Sequence, residues 1–399
     1  MPKKSHIPSL IIILPFLAMI AFFSLYALLD EDDTVSQYEG RPLASAPGFT
    51  PSAYLDGSFM RALESYFNDT FPRRTDLMKA NQRMNYLYKL PLMKQDYYLT
   101  SDGKMLLYGN AGMELFDYQQ EPIDYFALRL ANYRSVLPED VKISVLVLPT
   151  HSAFAAPEEF TGEQYDQKSA LDYLYNKLDG ITAVNSYDVL SQRYLLNDYL
   201  YFRTDHHWTA LGAYYAYREF VGADNAVDLS SLNQITKKGF LGSMFNFTSQ
   251  IPQNSVLSAN PDDIIYYEQP QNASVIYYSS AEMTDPTRIH LQSPADEDEA
   301  SYSVFLGSDH ALTKIESSIG NGKTILVIKD SYANAFLPWL TNNYETVWVI
   351  DPRYFVGEDK PKISVIEFVD THEIKEVLFV NYAMVLKNKD WAGMIKEIL

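Results

Sequence analysis

Two short stretches of this chain carry the residue types from which a nucleophilic site can be assembled. Thr204-Asp205-His206-His207-Trp208-Thr209 holds two of only seven histidines, with a carboxylate two positions before the second of them. A carboxylate beside an imidazole fixes its tautomer and stabilises the imidazolium as it forms, which is what a general base requires. Alternation in an extended loop would put Asp205 and His207 on one side and His206 on the other, favouring His207 as the base. The hexapeptide fits two other roles as well: a metal site, or the capped start of a helix expected from Ala210, its histidines merely hydrogen-bonded.

The second stretch is Ile325-Leu326-Val327-Ile328-Lys329-Asp330-Ser331-Tyr332-Ala333-Asn334-Ala335-Phe336. An apolar strand running directly into Asp-Ser and a helix sets Ser331 on an elbow at the carboxyl edge of a sheet, where an exposed nucleophilic hydroxyl belongs. The first amides of the following helix point at the same place and can hold an oxyanion, with the Asn334 amide as a further donor. The alternative is that Asp330 or Ser331 only caps the helix. Cysteine is absent, so a nucleophile must come from Ser, Thr, Asp, Glu, Lys or Tyr. A serine needs a base and a base needs an orienter, and the two stretches supply one of each. They predict a triad of Ser331, His207 and Asp205, with His206, Asp330, Tyr332 and Asn334 as its support.

Three further residues are candidates for the cleft. Trp208 adjoins the base, and His151 follows Pro149-Thr150 at the end of an expected strand, where it either lines the cleft or faces solvent. Arg353 would bind an anionic acceptor or, as the better reading, pair with Asp351. Asp309-His310 resembles an acid/base pair by composition only and is expected at a turn before a helix over 311–319. The acidic run 296–299 lacks EF-hand spacing and reads as a solvated loop.

These side chains need a scaffold, and the pattern around them alternates. Short β-branched runs at 141–148, 323–328, 346–350 and 376–380 read as strands, with helical patterns at 123–135, 169–178, 210–220 and 333–340 among them. Such alternation predicts an α/β fold built on a parallel sheet covered on both faces. Residues 52–88 are helical in pattern, with a break at Phe71-Pro72-Arg73-Arg74 and a second amphipathic stretch over 77–90. Residues 224–303 turn to Asn, Gln, Ser, Pro and paired Tyr, and are expected to be an insertion of short strands and loops.

Composition narrows the function. Of 399 residues, 32 are Lys or Arg and 51 Asp or Glu, a net charge of −19 that repels phosphate backbones and argues against nucleic-acid binding. Neither a Walker-A pattern nor a G-x-G-x-x-G fingerprint occurs. The 31 tyrosines serve equally as half-buried strand residues or as stacking surfaces for sugars. Lys3 and Lys4 precede an uncharged run over 10–29, and Asp30, Glu31, Asp32 and Asp33 follow it, which predicts an uncleaved single-pass anchor with the rest of the chain outside the cytoplasm. The expected organisation is an anchor over 1–33, a stalk and helical region over 34–95, and an α/β domain over 96–399.

The Asp205-His206-His207-Trp208-Thr209 string, the Lys329–Asn334 block and Asp69-Thr70-Phe71-Pro72-Arg73 together resemble the DHHW protein family. More distantly they resemble the SGNH-hydrolase-like domains of the alginate O-acetyltransferases J and X. The resemblance spans residues 38–399. It implies an SGNH-like α/β fold in circularly permuted order, because the Asp/His motif precedes the serine. In those acetyltransferases an Asp-x-His pair works with a Ser, which carried over gives Asp205, His207 and Ser331. Lys329 stands where many SGNH enzymes have the Gly of Gly-Asp-Ser, and no separate Gly and Asn blocks are assignable.

The reading that follows is a membrane-anchored extracytoplasmic O-acetyltransferase. It would need neither soluble cofactor nor metal, and the resemblance implies a multi-span membrane acyltransferase as acetyl donor and a polysaccharide as acceptor. A carbohydrate acetyl esterase using the same triad and a non-catalytic polysaccharide-binding or assembly protein are the alternatives.

Overall fold

The computed structural model describes residues 35–36, 41–89, 97–292, 300–357 and 359–399, in two compact units, Met1–Leu92 and Met93–Leu399. The expected anchor over 10–29 lies outside the described residues. Among the described residues no helix is long and apolar enough to cross a membrane.

In the first unit the break at Phe71-Pro72 separates two helices, Ser58–Asp69 and Arg74–Lys89. Pro72 cannot continue a helix and Arg73 adopts a positive φ of 56°. The Asp69 carboxylate, at the end of the first helix, accepts the amide of Ala44 at 2.9 Å.

The second unit is built on one eight-stranded sheet. Its strands in chain order are β1 (Lys142–Leu148), β2 (Thr182–Ala183), β3 (Ala273–Tyr278), β4 (Thr287–His290), β5 (Leu312–Ser317), β6 (Thr324–Lys329), β7 (Thr346–Ile350) and β8 (Glu376–Tyr382). They lie in the order β4-β3-β5-β7-β6-β8-β1-β2. Five strands, β7-β6-β8-β1-β2, are parallel, and the other three, β5, β3 and β4, continue the sheet antiparallel. The expected wholly parallel sheet is therefore a mixed one.

The middles of β1, β6, β7 and β8 are mostly apolar because both their faces are covered. On one face Val145, Val147, Leu326, Ile328, Val377 and Phe379 pack under α1 (Gln120–Val136), α2 (Gln167–Tyr175), α4 (Val365–Thr371) and α5 (Asp390–Glu397). On the other, Leu146, Ile325, Val327, Leu378 and Val380 meet α3 (Ala210–Val221) and the short helix Leu337–Leu340. Neighbouring residues of one strand go to opposite faces, as the two-residue period of a strand demands.

Two local expectations change. Residues 311–319 hold β5, Leu312–Ser317, and not a helix. Leu312, Ile315 and Ile319 are spaced for a helix, but the segment lies between β3 and β7 and its burial alternates at Ile315, Glu316 and Ser317, so sheet pairing decides the outcome. The helix expected over 333–340 is a 3-10 turn, Ser331–Ala335, followed by Leu337–Leu340. Within 224–303, strands Gln234–Phe240 and Asp262–Tyr267 pair with each other, whereas β3 and β4 add to the large sheet.

Candidate active site

Ser331 follows β6 at its carboxyl end, on the first residue of the 3-10 turn. Asp330 shapes that turn: its carboxylate accepts the Tyr332 amide at 2.9 Å, the Tyr382 amide at 3.1 Å and the Asn381 side chain at 3.2 Å. Burial pushes the Asp330 carboxyl up to about 6, against the pull of these hydrogen bonds. The capping role weighed for Asp330 and a nucleophilic serine are compatible, because the aspartate caps the turn and leaves the half-buried Ser331 hydroxyl to another partner.

Asp205 and His207 come from a tight loop ahead of α3. Tyr201 and Trp208 face each other across it as an antiparallel bridge, and the Thr209 amide donates to Leu200 O at 2.8 Å. Thr209 then caps α3 through Gly212 N, and a Cβ at Gly212 would run into the Leu200 carbonyl. The tip of the loop is held by a wholly buried carboxylate that sequence reasoning missed. Asp262 accepts Arg203 N at 3.1 Å, Arg203 Nε at 3.0 Å, Thr204 N at 2.7 Å and Thr204 Oγ1 at 2.6 Å, together with the Tyr199 hydroxyl.

The two loops meet in one chain of hydrogen bonds. His207 Nε2 lies 2.8 Å from Ser331 Oγ, and His207 Nδ1 lies 2.6 Å from Asp205 Oδ1, which also accepts the His207 amide at 2.9 Å. The second Asp205 oxygen accepts Ser243 N at 2.8 Å. Burial alone would raise the Asp205 carboxyl, but the His207 and His206 imidazoles and these N–H bonds hold it well below the usual carboxylate range. Gly242 precedes Ser243 because a Cβ there would overlap the Asp205 carboxylate. Tyr302, also missed, stacks on the His207 ring at 3.9 Å and 8°, and its hydroxyl lies 3.1 and 3.2 Å from the carbonyls of Ser331 and Tyr332.

A reciprocal clasp fastens the loops. Trp208 Nε1 donates to Tyr332 O at 2.8 Å, and the Tyr332 hydroxyl donates to His206 O at 2.5 Å. Trp208 and Tyr332 are both fully buried, so Trp208 is a core residue and not part of a cleft. His206 does not point away from His207: the loop bends, and the two rings lie 3.7 Å apart. His206 Nδ1 is 2.5 Å from Ser243 Oγ, and burial with the neighbouring His207 lowers the His206 ring to about 3.

The remaining candidates are drawn into structural contacts. The Asn334 amide joins a charge cluster, its oxygen accepting Lys329 Nζ at 2.8 Å and its nitrogen donating one of its two hydrogens to Asp309 at 2.9 Å. Lys329 is 1 % exposed and pairs with Asp309 and, at 3.5 Å, with Asp351. Arg353 pairs with Asp351 and with Asp309 at 2.8 Å, so the pairing with Asp351 holds and its charge is matched. His151 stacks on Tyr201 at 5.4 Å and 7° and reaches the Tyr194 hydroxyl at 3.4 Å, where burial lowers its ring to about 4.

Asp205, His206 and His207 bring their ligand atoms within 4.8 Å of one another, close enough for a cation. Both nitrogens of His207 and Nδ1 of His206 are already hydrogen-bonded, so a metal would have to displace Ser331, Asp205 or Ser243 to gain two imidazoles. The donor set fits proton transfer better than metal binding.

A serine at the carboxyl edge of an α/β sheet, hydrogen-bonded to a histidine that is in turn bonded to an aspartate of the same preceding loop, defines the class of site. The chain belongs to the DHHW protein family, whose model matches residues 39–97 and 98–350. A DHHW family protein from Eubacterium siraeum has a similar crystal structure, with 27 % identity and a TM-score of 0.66 over 76 % of this chain and 98 % of that one. Bacillus cereus PatB1 shares the fold at 20 % identity and a TM-score of 0.57, over 75 % of this chain and 99 % of that one. It has also been solved with a sulfonyl adduct, at 19 % identity, a TM-score of 0.55 and the same coverage. No curated protein matches the chain.

Proposed function

We propose that this protein is a serine-dependent O-acetyltransferase that modifies hydroxyls of a cell-surface or secreted polysaccharide. The observation that carries the reading is the unbroken chain from Asp205 through His207 to Ser331, at 2.6 and 2.8 Å. His207 Nε2 takes the Ser331 proton as Oγ bonds to the acetyl carbonyl of a donor. The tetrahedral adduct collapses, the donor's leaving group departs with that proton, and acetyl-Ser331 remains. An acceptor hydroxyl then gives its proton to His207 while its oxygen bonds to the acetyl carbon. The Ser331–acetyl bond breaks, and His207 returns the proton to Ser331 Oγ. Asp205, held anionic, keeps the His207 proton on Nδ1 and stabilises the imidazolium in both halves.

The apolar run over 10–29 supports anchoring this domain outside the cytoplasm, beside a multi-span membrane acyltransferase that would deliver the acetyl group. Neither step calls for a soluble cofactor. The test is incubation of wild type and Ser331→Ala with an activated acetyl ester, with and without oligosaccharides, followed by mass spectrometry of protein and sugar. Acetyl on Ser331 and then on the sugar is the expected result. Acetate release without sugar modification would make the protein an esterase, and an unlabelled Ser331 with no turnover would overturn the serine mechanism.

A further inference from the structure

The oxyanion of the tetrahedral adduct needs donors, and the Asn334 amide is engaged with Lys329 and Asp309. His206 offers one. Two rings lie against His207, Tyr302 at 3.9 Å and His206 at 3.7 Å, and two rings cannot share one face at those separations. His207 is therefore sandwiched. The His206 and His207 rings are tilted by 38°, and the Nδ1 atoms of both face the same Asp205 oxygen, at 3.8 and 2.6 Å, so both Nε2 edges point away from it, His207 Nε2 towards Ser331.

The rest of the His206 ring is locked. Ser243 Oγ accepts the His206 amide at 3.3 Å and lies 2.5 Å from Nδ1, and Ser243 is itself fixed through its own amide on Asp205. With the Ser243 hydroxyl donating to Nδ1, the ring proton resides on Nε2. The side chain is 22 % exposed, and the hydrogen bond that fixes the ring is made at Nδ1, which leaves Nε2 for a ligand. A neutral imidazole held this way is an electrophile and not a base.

We infer that His206 is a second oxyanion donor, its Nε2–H directed at the carbonyl oxygen of the acyl group on Ser331 and its tautomer set by Ser243. The inference rests on the serine reading above. The depressed proton affinity of His206 keeps the ring an uncharged donor, since burial opposes its protonation.

The test measures acylation of the full-length protein in detergent by p-nitrophenyl acetate, an ester that carries no sugar. It compares wild type with His206→Phe, which keeps a ring against His207 without an N–H, and with His206→Gln, which restores an N–H. Acylation slower by about 10²-fold in His206→Phe and partly recovered in His206→Gln is expected, the usual effect of one oxyanion donor. A His206→Phe rate within a few-fold of wild type overturns the inference, as does a loss confined to transfer onto oligosaccharide. If His206→Phe does not fold, Ser243→Ala reports instead: slower acylation restored by Ser243→Thr supports the assigned tautomer, and unchanged acylation overturns it. Ester hydrolysis equal in wild type and Ser331→Ala would overturn the serine reading itself, a result distinct from a failure at His206.

Discussion

Burial is the leading cause that holds four imidazoles, His206, His151, His310 and His372, below their ordinary proton affinity, and it takes the first two to about 3 and about 4. In the unfolded chain each takes up a proton near pH 6.5. Between that pH and about 4 the unfolded chain thus binds protons that the folded chain refuses, so stability rises with pH through this window and falls on acidification. His206→Gln removes one of these groups. Denaturant titrations at pH 7, 5.5 and 4.5 should show the variant losing less stability than wild type, the gap widening by up to about 1 kcal/mol per pH unit. Parallel loss in the two proteins would mean that the folded ring protonates normally.

The loop over 201–209 and the turn beginning at Ser331 are distant in sequence, and each is shaped by its own buried carboxylate, Asp262 for the loop and Asp330 for the turn. What sets one against the other is the pair of bonds between Trp208 Nε1 and Tyr332 O and between Tyr332 Oη and His206 O. Trp208→Phe keeps an aromatic ring in the core and removes one of these bonds, leaving the Tyr332 carbonyl the hydroxyl of Tyr302 as a partner. The expected cost is about 1 kcal/mol in stability, the net worth of one hydrogen bond. The Ser331 acylation rate should fall by more than that energy accounts for, because loosening the clasp lengthens the His207–Ser331 bond. Denaturant titration and acylation kinetics on the same preparation check both. An acylation rate equal to wild type would show that Tyr302 and the core hold the loops in register without the indole.

Across the whole sheet, the antiparallel extension is joined to the parallel half at β5 and β7, and a cluster of four charges lies beside that junction. Asp309 precedes β5, Lys329 ends β6, and Asp351 and Arg353 follow β7. The two carboxylates and two cations cancel, which is how Lys329 tolerates almost complete burial. Lys329→Met would leave the half-exposed Arg353 to balance both Asp309 and the fully buried Asp351. Removing one member of such a buried set costs about 3–5 kcal/mol. The double variant Lys329→Met with Asp309→Leu should regain much of this, because the charges left behind are again paired. Equal midpoints for wild type and Lys329→Met in denaturant would show that the cluster contributes no net stability.

The amino-acid sequence by itself determined the parallel strands β1, β6, β7 and β8 to within two residues at each end, because strands buried on both faces are written as unbroken β-branched runs. It also determined which serine, histidine and aspartate would meet, because two loops at the carboxyl edge of such a sheet lie next to each other. Only the tertiary structure decided that Leu312–Ser317 pairs as a strand, that Trp208 is interior and that Asn334 serves an ion cluster. Asp262, Tyr302 and Ser243 were not legible either. They act through hydrogen bonds or a ring contact between residues 38 to 95 positions apart, and such contacts leave no periodicity or local composition to read. His206 shows the boundary within a single motif: its type is plain in the sequence, but its place over the base depends on a bend in the loop that Asp205, Ser243 and Asp262 impose together.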